Sequence, residues 1–361
     1  MLSESFESRR MKKVLFIIGS PNQTIQMHKI ASCMPEYDCY FSQFFSNNPI
    51  INFAVKTGFL DHTILAGQFK EKADHYLKEH GLKNDYALSV YNNQYDLVVL
   101  CSDVIVPSAI KHIKKVWVQE GMTDHLSTWS KVVKALKIPR YFAVGTSLNG
   151  TSDLCDIYCA ASPGYKKHFQ DLGTKESKII VTGMPNFDHA SAELINDFPH
   201  KDYVLVATSD IRECFGTDDR EKFIKQTAEI AAGRKLIFKL HPNEIQQRAV
   251  REIEKFAPEG TLIYTSGNVN HMIANCDELI TQYSTVVYVG LALNKKVHSY
   301  FDLEDLKRKM PIQNGGQSGA NIAEICKRYI QHQGDLNRFL NELPSLDLSQ
   351  VHVDNVYMKT A

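Results

Sequence analysis

The sequence predicts an α/β protein built from two doubly wound, parallel-sheet domains. Short apolar runs, typical of strands buried on both faces, alternate with stretches of helical periodicity. No hairpin signal separates neighbouring strands, which favours parallel pairing through crossover helices. At 361 residues the chain is also too long for one ordinary core. Because the polar stretch 188–202 interrupts the alternation, we predict domains at 1–187 and 188–361.

The N-terminal half opens with a strand, a turn and a helix. The strand is VLFII at 14–18, and Gly19, Ser20 and Pro21 form the turn before a helical stretch at 24–34. One glycine in this loop is a poor match to a dinucleotide fingerprint, so NAD is not expected. Further strands are predicted at 95–101, 116–119, 156–160 and 179–182, with helices near 68–80 and at 164–172.

The C-terminal half restarts the same alternation. Strands are predicted at 203–207, 236–240, 261–264, 278–281 and 296–300. Helices are predicted at 219–232, 246–256, 269–274, 286–293, 320–331 and 335–343. The glycine-rich segment 311–319 is interpreted either as a plain surface turn or as a lid over a ligand.

Composition narrows the class of protein. The net charge is +0, so no overall attraction to nucleic acid is expected. Eight scattered cysteines without a CxxC pair are typical of reduced, cytosolic thiols. No apolar run approaches the ~20 residues of a transmembrane helix, and the first ten residues are unlike a secretory signal. We predict a cytoplasmic protein and leave open peripheral attachment at the inner membrane face.

Two strand ends in the C-terminal half carry candidate binding residues. Lys239 lies near the end of the strand at 236–240, and His241 and Pro242 follow this strand. Ser284 and Thr285 follow the strand at 278–281. Ligands of open α/β sheets bind outside the carboxyl ends of the strands, and a helix start with hydroxyl groups suits phosphate. His241 is either a ligand or a residue that caps its own loop.

Other strand ends supply further candidates. Glu120 and Gly121 follow the strand at 116–119, and we predict Glu120 as a general base unless it only pairs with a surface lysine. Arg212 is predicted to bind phosphate, with a surface ion pair as the alternative. Asp103, Gly121 and Asn186 also follow predicted strands, and we expect all three to line a cleft between the domains.

Three segments resemble sequences of nucleotide-sugar enzymes that have the GT-B fold. The likeness is greatest to the non-hydrolysing UDP-N-acetylglucosamine 2-epimerases. GSPNQTIQM at 19–27 resembles their GTRPEAIKM-type opening, and KLHPNE at 239–244 resembles their HPNP segment. The stretch 156–188 is similar to their helix, turn and VTGNP-type linker. The resemblance implies two Rossmann-like domains that face a cleft and bind a nucleotide sugar.

Some positions depart from the epimerase pattern. The arginine and glutamate of the opening are replaced by Pro21 and Gln23. The segment from Gln119 to Thr123 lacks the arginine of the epimerase EAGLRT segment. The double glycine that follows the phosphate-binding serine is replaced by Thr285 and Val286.

An acidic-Gly segment, a Lys-x-His-Pro segment and a Ser-Thr pair also resemble bacterial GT-B transferases of surface polysaccharides, including sialyl- and Kdo-transferases. The resemblance implies that Glu120 is the catalytic base, that the His241 segment contacts the donor nucleotide and that Ser284 and Thr285 hold its phosphate.

These observations predict a metal-independent glycosyltransferase. Its donor would be a UDP- or CMP-linked sugar, and its acceptor a surface glycan or a glycolipid. No metal ion or cofactor is expected, since the chain has no Asp-x-Asp stretch. The alternatives are a UDP-N-acetylglucosamine 2-epimerase-like enzyme and a non-catalytic nucleotide-sugar binding protein. Pairing with a second copy and association with a membrane surface stay open.

Overall fold

The structure is a computed structural model that describes residues 10–61, 63–90, 94–124, 126–143, 145–213 and 216–343. Its strands are β1 (Lys13–Ile18), β2 (Asp38–Gln43), β3 (Lys83–Asn84), β4 (Leu97–Leu100), β5 (Lys114–Val118), β6 (Ile157–Ala160), β7 (Ile179–Val181), β8 (Val204–Ala207), β9 (Leu236–Lys239), β10 (Leu262–Tyr264), β11 (Glu278–Thr281) and β12 (Lys296–His298).

Its α-helices are α1 (Pro21–Ser32), α2 (Pro49–Lys56), α3 (Gly67–Glu79), α4 (Thr128–Ala135), α5 (Pro163–Asp171), α6 (Arg220–Ala231), α7 (Gln246–Phe256), α8 (Val269–Asn275), α9 (Val287–Ala292), α10 (Leu303–Lys309), α11 (Ser318–Gln331) and α12 (Leu336–Glu342). Among the described residues, no helix is long and apolar enough to cross a membrane.

The chain forms two units. The first unit comprises residues up to Asn186 and again those from Gly316 onward, and the second unit comprises Phe187–Gly315. The first unit holds a seven-stranded sheet in the order β3-β2-β1-β4-β5-β6-β7. The second holds a five-stranded sheet in the order β10-β9-β8-β11-β12. All paired strands are parallel, which confirms the predicted doubly wound α/β class.

The central strands form because their sequences are continuously apolar. Leu15, Phe16 and Ile17 in β1 are all fully buried, as are Leu205 and Val206 in β8. A strand covered by helices on both faces has no solvent face, so it carries no alternating polar residues. Each of these side chains contributes roughly 1.5–3 kcal/mol through burial.

The predicted domain division differs from the structure at the C-terminal end. Helix α11 packs against α1 of the first unit, although 188–361 was predicted to form one domain. Ile322 and Ile325 of α11 share an apolar cluster with Val14 and Met27. Burial of this apolar face draws the chain after Gly315 back to the first unit.

Candidate functional site

The carboxyl ends of β8, β9 and β11 form what we call the second-unit edge, made of 208–210, 241–244 and 282–285. β8 is central, with β9 on one side and β11 on the other. The chain order reverses between β8 and β11, and ligands of open α/β sheets bind in the crevice at such a switch point. The predicted residues His241, Ser284 and Thr285 therefore follow strands that end at one edge of one sheet.

Two side chains fix the loop that carries His241. The His241 backbone N–H lies 2.9 Å from Thr208 Oγ1 and 3.0 Å from Glu244 Oε2, and it donates to both. The Thr208 hydroxyl in turn donates to the Glu244 carboxylate. Both side chains are buried. The loop is thus held by internal hydrogen bonds, and the imidazole keeps about 30% of its surface exposed.

The His241 imidazole is kept neutral by its surroundings. Burial lowers the pKa of His241, although the nearby carboxylates of Asp210 and Glu244 act in the opposite direction. Asp210 Oδ2 lies 3.5 Å from Nδ1, and the Asn243 backbone N–H donates to Nδ1 over 3.3 Å. This last bond matches the alternative in which His241 caps its own loop. It leaves Nε2 of the neutral ring as the hydrogen-bond donor.

Ser209 joins β8 to the loop after β11 at the switch point. Its hydroxyl donates to the Tyr283 carbonyl over 3.0 Å and accepts from the Tyr283 N–H over 3.1 Å. Ser284 and Thr285 follow directly and are half-buried before α9. Ser209 therefore holds the backbone of the residue that precedes these two hydroxyl groups.

A buried arginine, Arg220, links the loops of the second-unit edge through two buried carboxylates. Arg220 Nε lies 2.8 Å from Asp218 Oδ2, and Nη2 lies 2.8 Å from Glu244 Oε1. All three side chains are at most 3% exposed. Asp218 also accepts from Gln282 Nε2 over 2.8 Å, so one network reaches both loops. Such a network positions the backbone that a ligand would meet.

Two predicted phosphate-binding cations already have protein partners. Arg212 makes a bidentate pair with Glu252, at 2.8 and 2.7 Å, which is an ion pair with a residue of α7. Lys239 is buried and donates to the Leu240 carbonyl over 2.7 Å, and burial lowers its pKa. Each would have to leave its partner to contact phosphate. Pro242 is exposed beside His241.

In the first unit, Glu120 follows β5, is half-buried and contacts one side-chain amide. Gln23 Nε2 lies 3.5 Å from Glu120 Oε2, and burial raises the pKa of Glu120 against the effect of this contact. The neighbouring Gln119 is buried and bridges the ends of β5 and β6, accepting from the Ala161 N–H at 2.9 Å and donating to the Gly121 carbonyl at 2.9 Å. A carboxyl group with a raised pKa is suited to accept a proton near neutral pH.

Gln23 is placed by the start of α1. The Gln23 N–H donates to Ser20 Oγ and the Ser20 N–H donates to Gln23 Oε1, each over 3.2 Å, which is a capping box. Gly19 leaves room for this amide, because a Cβ at this position would lie 2.4 Å from Gln23 Oε1 and displace it. The helix cap thus fixes the amide that contacts Glu120.

The prediction that Asp103 lines a cleft is corrected by its burial. Its side chain is fully buried and accepts from the Gly150 and Ser152 N–H groups, at 2.7 and 2.9 Å. Gly150 has φ +75°, and a Cβ there would lie 2.9 Å from Trp117. The Asp103 carboxylate therefore closes a tight loop inside the first unit. Asn186 also bonds within this unit, to the Asn22 carbonyl at 3.0 Å.

The sequence analysis did not assign roles to Gln23, Glu244 or Arg220. Two of them carried a signal, since S-x-x-Q at Ser20–Gln23 is the capping-box spacing. Glu244 follows His241 by the same three residues and bonds back to the His241 N–H. Arg220 gave no signal, because a buried arginine cannot be distinguished from an exposed one by its neighbours on a helix. Among the described residues, no three His, Cys, Asp or Glu side chains group as a metal site.

Comparison with known proteins identifies the fold. No protein-family model and no curated protein sequence matches the chain. Solved structures do match. A Staphylococcus aureus MnaA–UDP co-structure has a TM-score of 0.57 and 15% identity, covering 89% of this chain and 97% of that one. A putative UDP-N-acetylglucosamine 2-epimerase from Listeria monocytogenes has a TM-score of 0.58 and 14% identity, covering 90% and 98%.

A third structure was solved with a nucleotide sugar. The UDP-GlcNAc 2-epimerase from Neisseria meningitidis bound to UDP-GlcNAc has a TM-score of 0.53 and 12% identity, with 92% and 98% of the two chains covered. At these identities the likeness concerns the fold. The chain therefore has the GT-B fold of the UDP-N-acetylglucosamine 2-epimerases.

Proposed function

We propose that this chain is a metal-independent glycosyltransferase that uses a nucleotide-sugar donor and a glycan or glycolipid acceptor. The observation that carries the proposal is Glu120, a carboxyl group with a raised pKa that contacts the amide of Gln23. One base is enough for sugar transfer, in which only the acceptor hydroxyl loses a proton.

In the proposed reaction Glu120 takes the proton of the acceptor hydroxyl while that oxygen bonds to the anomeric carbon. The bond from this carbon to the nucleotide phosphate oxygen breaks, and the phosphate leaves with the electron pair. We assign the nucleotide to the second-unit edge. There His241, Ser284 and Thr285 would donate hydrogen bonds to the growing phosphate charge. The neutral imidazole of His241 retains one N–H for this purpose.

The second candidate is a 2-epimerase-like activity. The structures of similar fold that favour it are described as epimerases, one of them bound to UDP-GlcNAc. Epimerisation removes and returns a proton at C2 of the sugar and eliminates and re-adds the nucleotide, which requires acids and bases on both faces. Here the epimerase glutamate position holds Gln23, whose amide does not act as a general acid or base near neutral pH. A protein that only binds nucleotide sugars is the third candidate.

The test incubates the protein in deuterated water with UDP- or CMP-linked sugars, with and without a lipid-linked or glycan acceptor. Transfer predicts acceptor-dependent release of the nucleotide and no deuterium at C2. Epimerisation predicts deuterium at C2 without any acceptor, and pure binding predicts neither. Acceptor-independent incorporation of deuterium would exclude the transferase proposal.

Variants then test the roles of the two units. Glu120→Gln should reduce turnover by roughly 10²–10⁴-fold with donor binding retained. His241→Ala should weaken donor binding as well as turnover. Glu79→Gln, which changes an exposed carboxylate of the first unit, is the matched control. Full turnover by Glu120→Gln would remove this residue from the reaction.

A further inference from the structure

One face of the first unit concentrates positive charge. The segments 46–59, 104–112 and 126–142 contain no aspartate or glutamate, although the whole chain has equal numbers of acidic and basic residues, 41 each. The same segments contain six lysines and arginines, which are Lys56, Lys111, Lys131, Lys134, Lys137 and Arg140. We call these three segments the basic face.

The three segments meet around one groove. A cavity of about 680 Å³ is lined by residues of all three, including Ile51, Val106, Lys111 and Arg140. The Asn47 side chain also accepts from the Ala109 N–H over 3.2 Å, which ties the first segment to the second. The groove thus has aliphatic walls and cationic side chains, and the described residues that line it include no carboxylate.

The charge of the groove is not neutralised by ion pairs. Among the described residues, no carboxylate oxygen lies within 4.0 Å of Lys111, Lys134, Lys137 or Arg140. Arg140 instead donates to the Leu148 and Thr151 carbonyls, at 3.0 and 2.6 Å. Burial and then the charge of Arg140 lower the pKa of Lys134. Lys134 and Arg140 therefore repel each other, and an external anion would relieve this repulsion.

Large apolar side chains are exposed on α2 and α4, the helices that contribute Ile51 and Val133 to the groove. Helix α4 buries Val133 but turns Trp129, Val132 and Leu136 outward, with 50%, 36% and 68% of their surfaces exposed. Their spacing of three and four residues places them on one face of the helix. On α2, Ile50 and Phe53 are 77% and 69% exposed. Phe59, which follows α2, and Phe142, which follows α4, are also exposed. Trp129, Val132 and Leu136 thus form an exposed apolar stripe on α4, and exposed apolar patches mark interaction sites.

We propose that the basic face docks on a membrane surface of anionic phospholipids. Trp129, Phe53 and Leu136 would enter the boundary between head groups and acyl chains, as apolar faces of interfacial helices do. The lysines would meet lipid phosphates, and the groove has the chemistry to hold one head group. The proposal does not depend on the proposed enzymatic function, because binding is measured without turnover.

Charge decides between a membrane and a second copy of the chain. In a symmetric dimer the same patch faces itself, so the six cations of one copy would oppose those of the other. An anionic bilayer attracts every one of them, with about 1 kcal/mol for each lysine or arginine near the surface. A membrane is therefore the occupant that both the apolar and the charged side chains favour.

The test is co-sedimentation of the full chain with vesicles. We expect binding to vesicles of equal parts phosphatidylglycerol and phosphatidylcholine, weakening as salt is raised, and little binding to pure phosphatidylcholine. Lys111→Glu with Lys131→Glu should weaken binding roughly tenfold or more. Phe53→Ser with Leu136→Ser should also weaken it, with unchanged circular dichroism and melting temperature.

The matched control is Lys72→Glu with Lys78→Glu, two exposed lysines of α3 in the same unit. It makes the same change in net charge and should bind vesicles like the unaltered chain. Equal loss in the control, or no binding to anionic vesicles, would overturn the proposal. So would a lipid-free dimer that the Phe53→Ser and Leu136→Ser changes dissociate, because the face would then be a self-interface.

Discussion

At the residue scale, Glu120, the proposed general base, is a carboxyl group whose surroundings disfavour its charged form. Its half-buried carboxylate has the Gln23 amide 3.5 Å away to favour the charged form. Burial prevails over this hydrogen bond, and the pKa of Glu120 rises above the ordinary 4.5. The charged form of Glu120 therefore lowers the stability of the fold. Glu120→Gln removes this charge and keeps the shape of the side chain.

We predict that Glu120→Gln is more stable than the unaltered chain at neutral pH. A carboxyl group with a raised pKa in the fold contributes stability that is present below the ordinary 4.5 and is lost as pH rises through the raised value. In melts between pH 4 and pH 8, the difference in melting temperature should therefore widen above the ordinary 4.5 and level off once the raised pKa is passed. Thermal melts of both proteins across this range, with Glu79→Gln as control, measure it. A difference in melting temperature that does not change with pH would show that folding does not raise the pKa of Glu120.

We predict that the loss of Arg220 strongly destabilises the second unit. Removal by Arg220→Ala leaves Asp218 and Glu244 as buried carboxylates without their cation. Breaking a buried ion pair in this way typically costs about 3–5 kcal/mol. Lys225→Ala on the same helix breaks an exposed pair with Glu221 and should cost below about 1 kcal/mol. Urea unfolding of the two variants compares these costs, and equal losses would contradict the buried network.

At the scale of elements, the sequence was informative wherever burial left a continuous pattern. Strands β1, β4 and β8 were predicted because their apolar runs have no solvent face. β2 was missed because DCYFSQ places buried Ser42 and Gln43 among its aromatic residues, and such a segment lacks the strand signal. The short helices α2 and α4 were missed because their exposed faces carry apolar residues, which hides the amphipathic period.

The same limit applied to the site. Positions at strand ends could be predicted, and Glu120 and His241 lie at such ends. Asp103 could not be assigned, since its partner Gly150 is 47 residues away and only the folded chain brings them together. The Arg212 pair with Glu252 spans 40 residues for the same reason. Polar contacts between distant segments leave no local pattern to read.

Helix α11 gives the clearest prediction at this scale. Because Ile322 and its neighbours complete the core around Val14 and Met27, a fragment of residues 1–186 should not fold without residues 316–343. A fragment of residues 187–315 should fold alone, since it holds a complete five-stranded sheet. Circular dichroism and denaturant titration of both fragments test this. A cooperatively folding 1–186 fragment would show that α11 is not needed.

At the scale of the whole molecule, the two sheets have the same winding order. We propose that the first carries the general base and the second binds the nucleotide. In each sheet the chain winds outward on one side of its first strand and then returns to the other side, which creates a switch point at β1 and at β8. The first switch point lies beside the capped start of α1, and the second lies beside Ser209. We assign the nucleotide to the second because its loops are fixed by the Arg220 network.

Calorimetry can test this assignment by asking which unit a nucleotide stabilises. Arg220→Ala should lower the melting transition of the second unit, and Ile322→Ala, a loss of about 2–5 kcal/mol from a fully buried position, should lower that of the first. UDP or CMP at a hundred times its dissociation constant adds about 2.7 kcal/mol to the state that binds it. We expect the nucleotide to stabilise the transition that Arg220→Ala lowers, which is that of the second unit. In His241→Ala this stabilisation should be lost. A nucleotide that raises only the transition marked by Ile322→Ala would place the site in the first unit and remove His241, Ser284 and Thr285 from it.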